Sequence, residues 1–209
     1  YIRELLSQKR QDRQADLVSA LLDAQVEGEP LTEQEIVYFC TLLLAAGFQT
    51  TEHLISNTLL CLDEHPSARA QLWSDPSLVL STIEEVARFL PVGPRAVRTV
   101  TRDTEIGAKQ IKAGYRIFAW IASANRDEER WRDPEVFDIQ RSPNQHLGFG
   151  SGIHFCLGAP LARLEIEILL QQIIERFKDI QRIQDIPLQL VESYNVYGVQ
   201  QLPIRWQKR

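Results

Sequence analysis

The sequence predicts a mainly α-helical fold with small β-sheets. Apolar residues recur at helical spacing over most of the chain before Pro91 and again after Pro160. Between Ala96 and Ile121, by contrast, runs of β-branched residues are separated by glycine turns, which is typical of short antiparallel strands. The length of 209 residues is enough to bury a sizeable core, so we predict a single domain over residues 1–209.

The composition excludes some classes of partner. The 23 basic and 28 acidic residues give a formal net charge of −5 without a basic stripe, which argues against nucleic acid as the main partner. The apolar run at residues 38–48 is too short to span a bilayer, so we expect no membrane association. Cys40, Cys61 and Cys156 are widely spaced, which indicates no disulfide framework and a reducing, cytoplasmic location. The chain starts at Tyr1 and contains no methionine, so we expect further sequence upstream.

The first part of the chain is predicted to form two helices. Residues 2–25 show helical spacing and end at an acidic, glycine-containing stretch. Thr32 and Glu35 form a capping-box pattern at the start of the second helix. This helix meets no breaker except Gly47 before Pro66, and about thirty helical residues span roughly 45 Å. Its middle is apolar nearly all round, so we expect it to run through the centre of the protein.

The elements that follow are shorter. Two helices come first, and then small antiparallel strands with turns at Gly107 and Gly114. A long connection without periodicity separates these from a further helix and a C-terminal hairpin, and such connections are usually functional. The predicted ranges are helices over 66–73 and 76–90, strands within 96–121, the irregular connection over 124–146, a helix over 160–177 and a hairpin within 186–206.

One cysteine lies in the glycine-rich stretch "LGFGSGIHFCLGAPLAR". Gly148, Gly150 and Gly152 permit backbone angles and close approaches that side chains forbid. Pro160 suits the first turn of a helix, which places Cys156 just before a helix N-terminus. There the free amides and the helix dipole favour a thiolate over a thiol. The pattern indicates a loop that presents a negatively charged sulfur to something flat or bulky.

Several kinds of site are compatible with this loop. A phosphate-binding loop also places glycines before a helix, but no lysine follows and the Walker pattern is absent. A cysteine nucleophile or a zinc site would have only His154 as its neighbouring partner. A buried cysteine in a glycine-rich turn is a further alternative. The four glycines around Cys156 argue against that last alternative. A single axial thiolate under a large planar ligand is the chemistry of some haem enzymes.

The stretch "FGSGIHFCLG" resembles the haem-binding signature of the cytochrome P450 family. That signature is Phe149, two residues, Gly152, three residues, Cys156, one residue and Gly158. The segments "APLARLE", "AAGFQTTE", "EEVAR", "ANRD" and "DPEVFDIQR" are similar to other parts of the family, in the family's order. The resemblance covers the C-terminal half of a family member and implies the corresponding half of the P450 fold, in a soluble protein of bacterial type.

The resemblance also implies a set of cofactor-binding residues. Cys156 would be the axial thiolate ligand, and the metal ligand, of the iron in haem b. Arg98 and His154 match positions that hold the haem propionates, a role for which an arginine fork and a histidine N–H are suited. The other cofactor-binding positions are Phe149, Gly150 and Gly158.

A second group of residues has an implied structural role. Glu85 and Arg88 match the family's Glu-x-x-Arg pair and lie three positions apart on a predicted helix. An isolated pair of this kind is normally an exposed salt bridge that contributes little to stability. In the family the pair is buried and joined by a third residue, which we place at Arg141. We expect these residues to support the haem loop and not to act in catalysis.

The segment "AAGFQTTE" resembles the family's oxygen-activating segment. Gly47 and Thr50 fall on one helix face, small Ala46 and Gly47 leave room for a flat cofactor, and a threonine hydroxyl can bond to an i−4 carbonyl and distort the helix. The family usually has an acidic residue where this chain has Gln49, and a carboxamide cannot relay protons as a carboxylate does. The catalytic residues implied are Ala46, Gly47, Gln49 and Thr50, of which Thr50 assists protonation.

Two functions follow from these observations. The first is a haem-thiolate monooxygenase, an oxidoreductase that inserts one oxygen atom from O2 into a small hydrophobic substrate with electrons from a ferredoxin-type or flavoprotein donor. It requires the missing N-terminal half of the fold, either in the natural protein or as a partner in trans. The alternative is a truncated, non-enzymatic helical domain that binds haem weakly or not at all and serves as a partner-binding or remnant protein. The colour of the purified protein distinguishes the two.

Overall fold

The computed structural model describes all residues from Tyr1 to Arg209. They form two compact units, Tyr1–Gln49 and Thr50–Arg209, and the boundary between the units falls inside one long helix. The single haem-binding domain over residues 1–209 stays a prediction. No helix combines the length and the hydropathy that a bilayer crossing requires.

The first unit begins with short elements that precede the long helix. They are α1 (Ile2–Gln11), α2 (Leu17–Asp23) and the antiparallel strands β1 (Gln25–Val26) and β2 (Glu29–Pro30). The prediction of one continuous helix over residues 2–25 is therefore wrong. Asp16 has an extended backbone, and its carboxylate accepts a hydrogen bond from Ser19 N at 2.9 Å. Because this satisfies one of the free amides at a helix start, the chain begins a second helix there instead of continuing the first.

The long helix α3 (Glu33–Glu64) has the predicted start and length. Thr32 N donates to Glu35 Oε2 at 2.8 Å and Glu35 N donates to Thr32 Oγ1 at 3.3 Å, which confirms the capping box. The middle of α3 is not buried, although we expected this helix to run through the centre of the protein. Phe48 is 78% exposed and most of its neighbours are also exposed, whereas regular burial begins at His53. The earlier apolar segment has no covering element, and apolar side chains are buried only where something packs on them.

The second unit contains the other helices and three two-stranded antiparallel sheets. Its helices are α4 (Pro66–Ser74), α5 (Val79–Phe89), α6 (Ile121–Ala124) and α7 (Ala159–Arg176). Its strands are β3 (Arg95–Thr99), β4 (Thr104–Ile106), β5 (Lys109–Ile111), β6 (Arg116–Trp120), β7 (Phe177–Arg182) and β8 (Ile204–Lys208). Strand β3 pairs with β6, β4 with β5, and β7 with β8.

Most sequence predictions for the second unit are confirmed. Gly107 and Gly114 adopt positive φ angles of 54° and 87° at the expected turns, and the irregular connection lacks regular structure. The C-terminal hairpin predicted within 186–206 differs from the observed pairing. Only an isolated bridge between Leu190 and Val199 forms there, and β8 pairs with β7. Strand β7 follows α7 directly and offers β8 an edge of six residues.

The core of the second unit lies between α5, α7 and the later part of α3. Ile83 and Val86 lie on one face of α5 and belong to the same buried cluster as Ile166 and Leu170 of α7. Cys61 of α3 completes the contact among the three helices. Because α7 starts directly after the cysteine loop, this core fixes the point at which the loop ends.

Two leucines on α7 allow a matched test of this core. Leu170 is 1% exposed and Leu161 is 59% exposed. Leu170→Ala is expected to lower the free energy of unfolding by about 2–5 kcal/mol, because it leaves a cavity. Leu161→Ala is expected to change it by less than about 0.5 kcal/mol. Urea denaturation of both variants measures the difference, and equal losses would contradict the assignment of the core.

Candidate functional site

The glycines before Cys156 shape the loop for two different reasons. Gly150 (φ 75°) and Gly152 (φ 63°) adopt left-handed backbone conformations that side chains rarely take. Gly148 instead makes a close approach, because a Cβ at this position would lie 2.3 Å from Ala87 O on α5. The loop therefore runs directly against the backbone of α5.

Cys156 lies at the end of this loop and is partly exposed. Its amide donates to Phe149 O at 2.8 Å, and its carbonyl accepts from Ala159 N at 3.2 Å. Helix α7 begins at Ala159 with Pro160 in its first turn, which confirms that the cysteine precedes a helix N-terminus. A Cβ on Gly158 would contact Cys156 Sγ at 3.9 Å, so the glycine leaves the space beside the sulfur open.

The three cysteines have different environments, and none forms a disulfide. Cys61 is fully buried in the core, where burial raises the pKa of its thiol. Cys40 lies on α3 in the first unit, outside the glycine-rich loop. Cys156 is therefore the cysteine whose surroundings are suited to binding a ligand.

The residues around Cys156 are suited to a large apolar ligand. Ile153 is 97% exposed, and Phe155 and Leu157 beside the cysteine are also exposed. Exposed apolar side chains around an accessible thiol form a surface that a flat hydrophobic group would cover.

Arg98 and His154 add polar donors to the surface of the second unit. Both are exposed, and neither forms a salt bridge; Arg98 Nη1 donates to Val97 O at 2.9 Å. Their N–H groups can therefore bind carboxylates from outside the chain. No hydrogen bond joins either residue to Cys156. These residues together provide a thiol for the iron, an apolar surface for the flat ring and two groups for the carboxylates, and so they fit haem.

The predicted oxygen-activating residues lie together on α3. Ala46, Gly47, Gln49 and Thr50 are exposed within a helix that is continuous from Glu33 to Glu64. A Cβ on Gly47 would meet no atom within 4 Å, so the space that small residues were expected to leave is open.

Glu85, Arg88 and Arg141 meet in a buried network. Arg88 Nε and Nη2 each donate to Glu85 at 2.8 Å, and both side chains are completely buried. Arg141 Nε lies 3.2 Å from Glu85 Oε2. The remaining N–H groups of Arg88 donate to the carbonyls of Pro134 and Val136 at 2.9 and 3.1 Å, and to that of Asn125. The side chain of Arg88 thus holds the irregular connection against α5.

Asn125 is a structural residue that the sequence interpretation missed. Its Nδ2 donates to Arg88 O at 3.2 Å, and its Oδ1 accepts from Leu147 N at 2.8 Å. The fully buried side chain therefore links the network to the start of the cysteine loop. The motif "ANRD" contains Asn125, but the residues that Asn125 binds are distant in sequence. The sequence therefore did not indicate these contacts.

The chain matches the family model for cytochrome P450 over residues 1–75 and 77–206. It therefore belongs to the cytochrome P450 family, and this membership implies a haem-iron cofactor. Cytochrome P450 109 of Bacillus spizizenii is 42% identical over 98% of this chain and 51% of the relative. Cyclomarin C epoxidase CymV of Salinispora arenicola is 43% identical over 98% and 51%. The methyl-branched lipid omega-hydroxylase of Mycobacterium tuberculosis is 38% identical over 99% and 48%.

Solved structures agree with this assignment. Substrate-free CYP109E1 of Bacillus megaterium superposes with a TM-score of 0.96 at 43% identity, over 100% of this chain and 54% of that one. CYP109Q5 of Chondromyces apiculatus gives a TM-score of 0.95 at 41% identity, over 100% and 54%. The predicted fold class, half of the P450 fold with small sheets, is confirmed. The chain spans about half the length of the curated relatives it matches.

The buried network is expected to be costly to break. Arg88→Met leaves the Glu85 carboxylate buried without its main partner, and should lower the free energy of unfolding by about 3–5 kcal/mol. Arg98→Met removes an exposed guanidinium, so a change below about 0.5 kcal/mol is expected. Guanidinium chloride titrations of the two variants provide the measurement. A small loss for Arg88→Met would mean that the network does not stabilise the second unit.

Proposed function

We propose that this chain is the cysteine-bearing half of a haem-thiolate monooxygenase, which inserts one oxygen atom from O2 into a small hydrophobic organic substrate. The observation that carries the proposal is the partly exposed Cys156, held by Phe149 O and by the start of α7 among exposed apolar side chains. Relatives named as a hydroxylase and an epoxidase support the class of reaction.

In this proposal haem b would be held at the cysteine loop, where the Cys156 thiolate would bind the iron. Arg98 and His154 would donate hydrogen bonds to the haem carboxylates. Thiolate-bound haem would supply the chemistry of O–O bond cleavage. The loop residues Phe149, Gly150 and Gly158 would contact the ring.

Proton delivery in this proposal depends on α3. Thr50 carries a hydroxyl that both donates and accepts hydrogen bonds, and so can pass a proton. Gln49 can hold a water molecule, but its amide does not exchange protons as a carboxylate would. Ala46 and Gly47 leave space for that water. Protons therefore reach Thr50 through water and not from a carboxylate at position 49.

The proposed reaction also needs partners. Electrons come from a ferredoxin-type or flavoprotein donor, in the cytoplasm. It also needs the N-terminal half of the fold, in the natural protein or as a partner in trans, because the chain spans about half of its relatives. On α7, Leu161, Leu164 and Ile168 form an exposed apolar stripe at i, i+3 and i+7. We infer that this stripe packs against that other half.

A second candidate function is a non-enzymatic, partner-binding domain with weak or no haem. The uncovered α7 stripe supports it, because adjacent exposed apolar side chains mark a site of interaction with a partner. Binding of haem through Cys156 separates the two candidates.

The haem spectrum tests the proposed function directly. After addition of haemin, reduction and exposure to carbon monoxide, the chain is expected to show the red-shifted Soret band of thiolate-ligated haem. Cys156→Ala should abolish the band, and Cys40→Ala should leave it unchanged because that cysteine lies outside the loop. A wild-type chain without the band would favour the non-enzymatic function, and a Cys156→Ala variant that keeps the band would contradict Cys156 as the ligand.

Complementation tests the inferred partner. The unmatched part of the Bacillus spizizenii relative, co-expressed with this chain, is expected to form a one-to-one complex by light scattering. Leu164→Lys and Ile168→Lys should weaken that complex by about tenfold or more, because each places a charge in an apolar contact. Leu80→Lys, at an exposed leucine of α5 outside the stripe, serves as the control. No complex, or equal effects of all three changes, would contradict the docking surface.

A further inference from the structure

A cluster of three side chains ties the cysteine loop to the two helices beneath it. Glu84 on α5 accepts two hydrogen bonds from Arg163 on α7, from Nε at 2.6 Å and from Nη2 at 2.9 Å. His146, at the start of the loop, places its Nε2 3.1 Å from Glu84 Oε2. We call these three residues the brace; no family motif above assigns them a role.

The contacts of His146 fix its tautomer. Gly148 N donates to His146 Nδ1 at 2.9 Å, so that nitrogen carries the lone pair. The ring proton therefore lies on Nε2 and is donated to Glu84. The side chain is 3% exposed and both ring nitrogens are used, so the imidazole is fixed from the loop and from α5.

Two members of the brace, Glu84 and Arg163, are charged over a wide range of pH. Burial opposes ionisation of Glu84, but hydrogen bonds from Arg163 and His146 outweigh it and lower the pKa of the carboxyl to about 2. The hydrogen bond to Glu84 raises the pKa of Arg163, against the smaller opposing effect of burial. The contact between α5 and α7 is therefore a charge-assisted, bidentate pair at neutral pH.

Arg163 also contacts the residue that holds the cysteine amide. Its Cζ lies 4.4 Å from the centre of the Phe149 ring, within the range of a cation–π contact. The His146 ring centre lies 5.8 Å from the same ring. Phe149 O in turn accepts the hydrogen bond of Cys156 N at 2.8 Å. Two members of the brace thus hold Phe149, and Phe149 holds Cys156.

We propose that Glu84, His146 and Arg163 are positioning residues for the Cys156 sulfur and act through Phe149. No hydrogen bond joins the brace to the sulfur. Its effect passes through the aromatic ring and the backbone carbonyl, beside a direct electrostatic interaction between Arg163 and Cys156. The groups that orient a metal ligand also tune the metal. The consequence for haem rests on the proposed function, whereas the positioning itself is a property of the chain alone.

Amide hydrogen exchange measures the positioning without haem. Arg163→Met removes both the ion pair and the guanidinium face, and should accelerate exchange of the Cys156 amide by about tenfold, the order expected for losing a charged hydrogen bond and a cation–π contact. Arg163→Lys keeps a charge for Glu84 but not the flat face over Phe149, so an intermediate rate is expected. Arg69→Met is the matched control, because Arg69 pairs with Asp63 and Asp179, outside the loop.

The proposal fails if Arg163→Met changes the Cys156 exchange rate no more than Arg69→Met does. Should Arg163→Met not fold, the Arg163→Lys variant decides by the same comparison. A second readout is the carbonyl spectrum of the haem-loaded chain, in which Arg163→Met should reduce the thiolate-type band and Arg69→Met should not. A wild-type chain that lacks this band overturns the proposed function, while the exchange rates still decide whether the brace positions Cys156.

Discussion

The buried ion pair of Glu85 and Arg88 is the interaction on which the cysteine-bearing part of the second unit depends. Removing two charges from water is costly, and their attraction offsets that cost only when the other hydrogen-bonding groups are also satisfied. Here the guanidinium meets both carboxylate oxygens and three backbone carbonyls. Those carbonyls belong to a connection without regular structure, so the side chain supplies the donors that a helix or sheet would otherwise provide.

The position of Cys156 follows from that pair through successive contacts. The Arg88 guanidinium fixes the connection that contains Asn125, and the Asn125 side chain receives the first amide of the cysteine loop. Gly148 then lies against the backbone of α5, and Arg163 of the brace contacts the Phe149 ring. A glycine-rich loop loses much conformational entropy when it is ordered. Its order here is therefore supplied by contacts from the core and not by the loop itself.

Features that depend on neighbouring residues could be predicted from the sequence, and features that depend on distant partners could not. The capping box at Glu35, the turn at Gly107 and the loop of Cys156 all have local causes. The break in the first helix at Asp16 also has a local cause. It was not predicted because a single N-cap residue is a weak signal within a stretch of regular helical spacing. The roles of Asn125 and His146 arise from partners more than twenty positions away. The exposure of the first part of α3 depends on covering elements, which a periodic pattern does not specify.

The two sides of the cysteine loop have different roles. One side fixes the position of Cys156, and the other offers apolar surface to a bound group. On the side of α5, Gly148 and Phe149 are held by hydrogen bonds, close backbone contact and a guanidinium. On the other side, Ile153 and Leu157 expose apolar surface that has no partner in the chain. Contacts within the chain that fix the Cys156 backbone lower the ordering cost of binding a ligand at this surface. A ligand that binds the folded chain there adds stability by linkage.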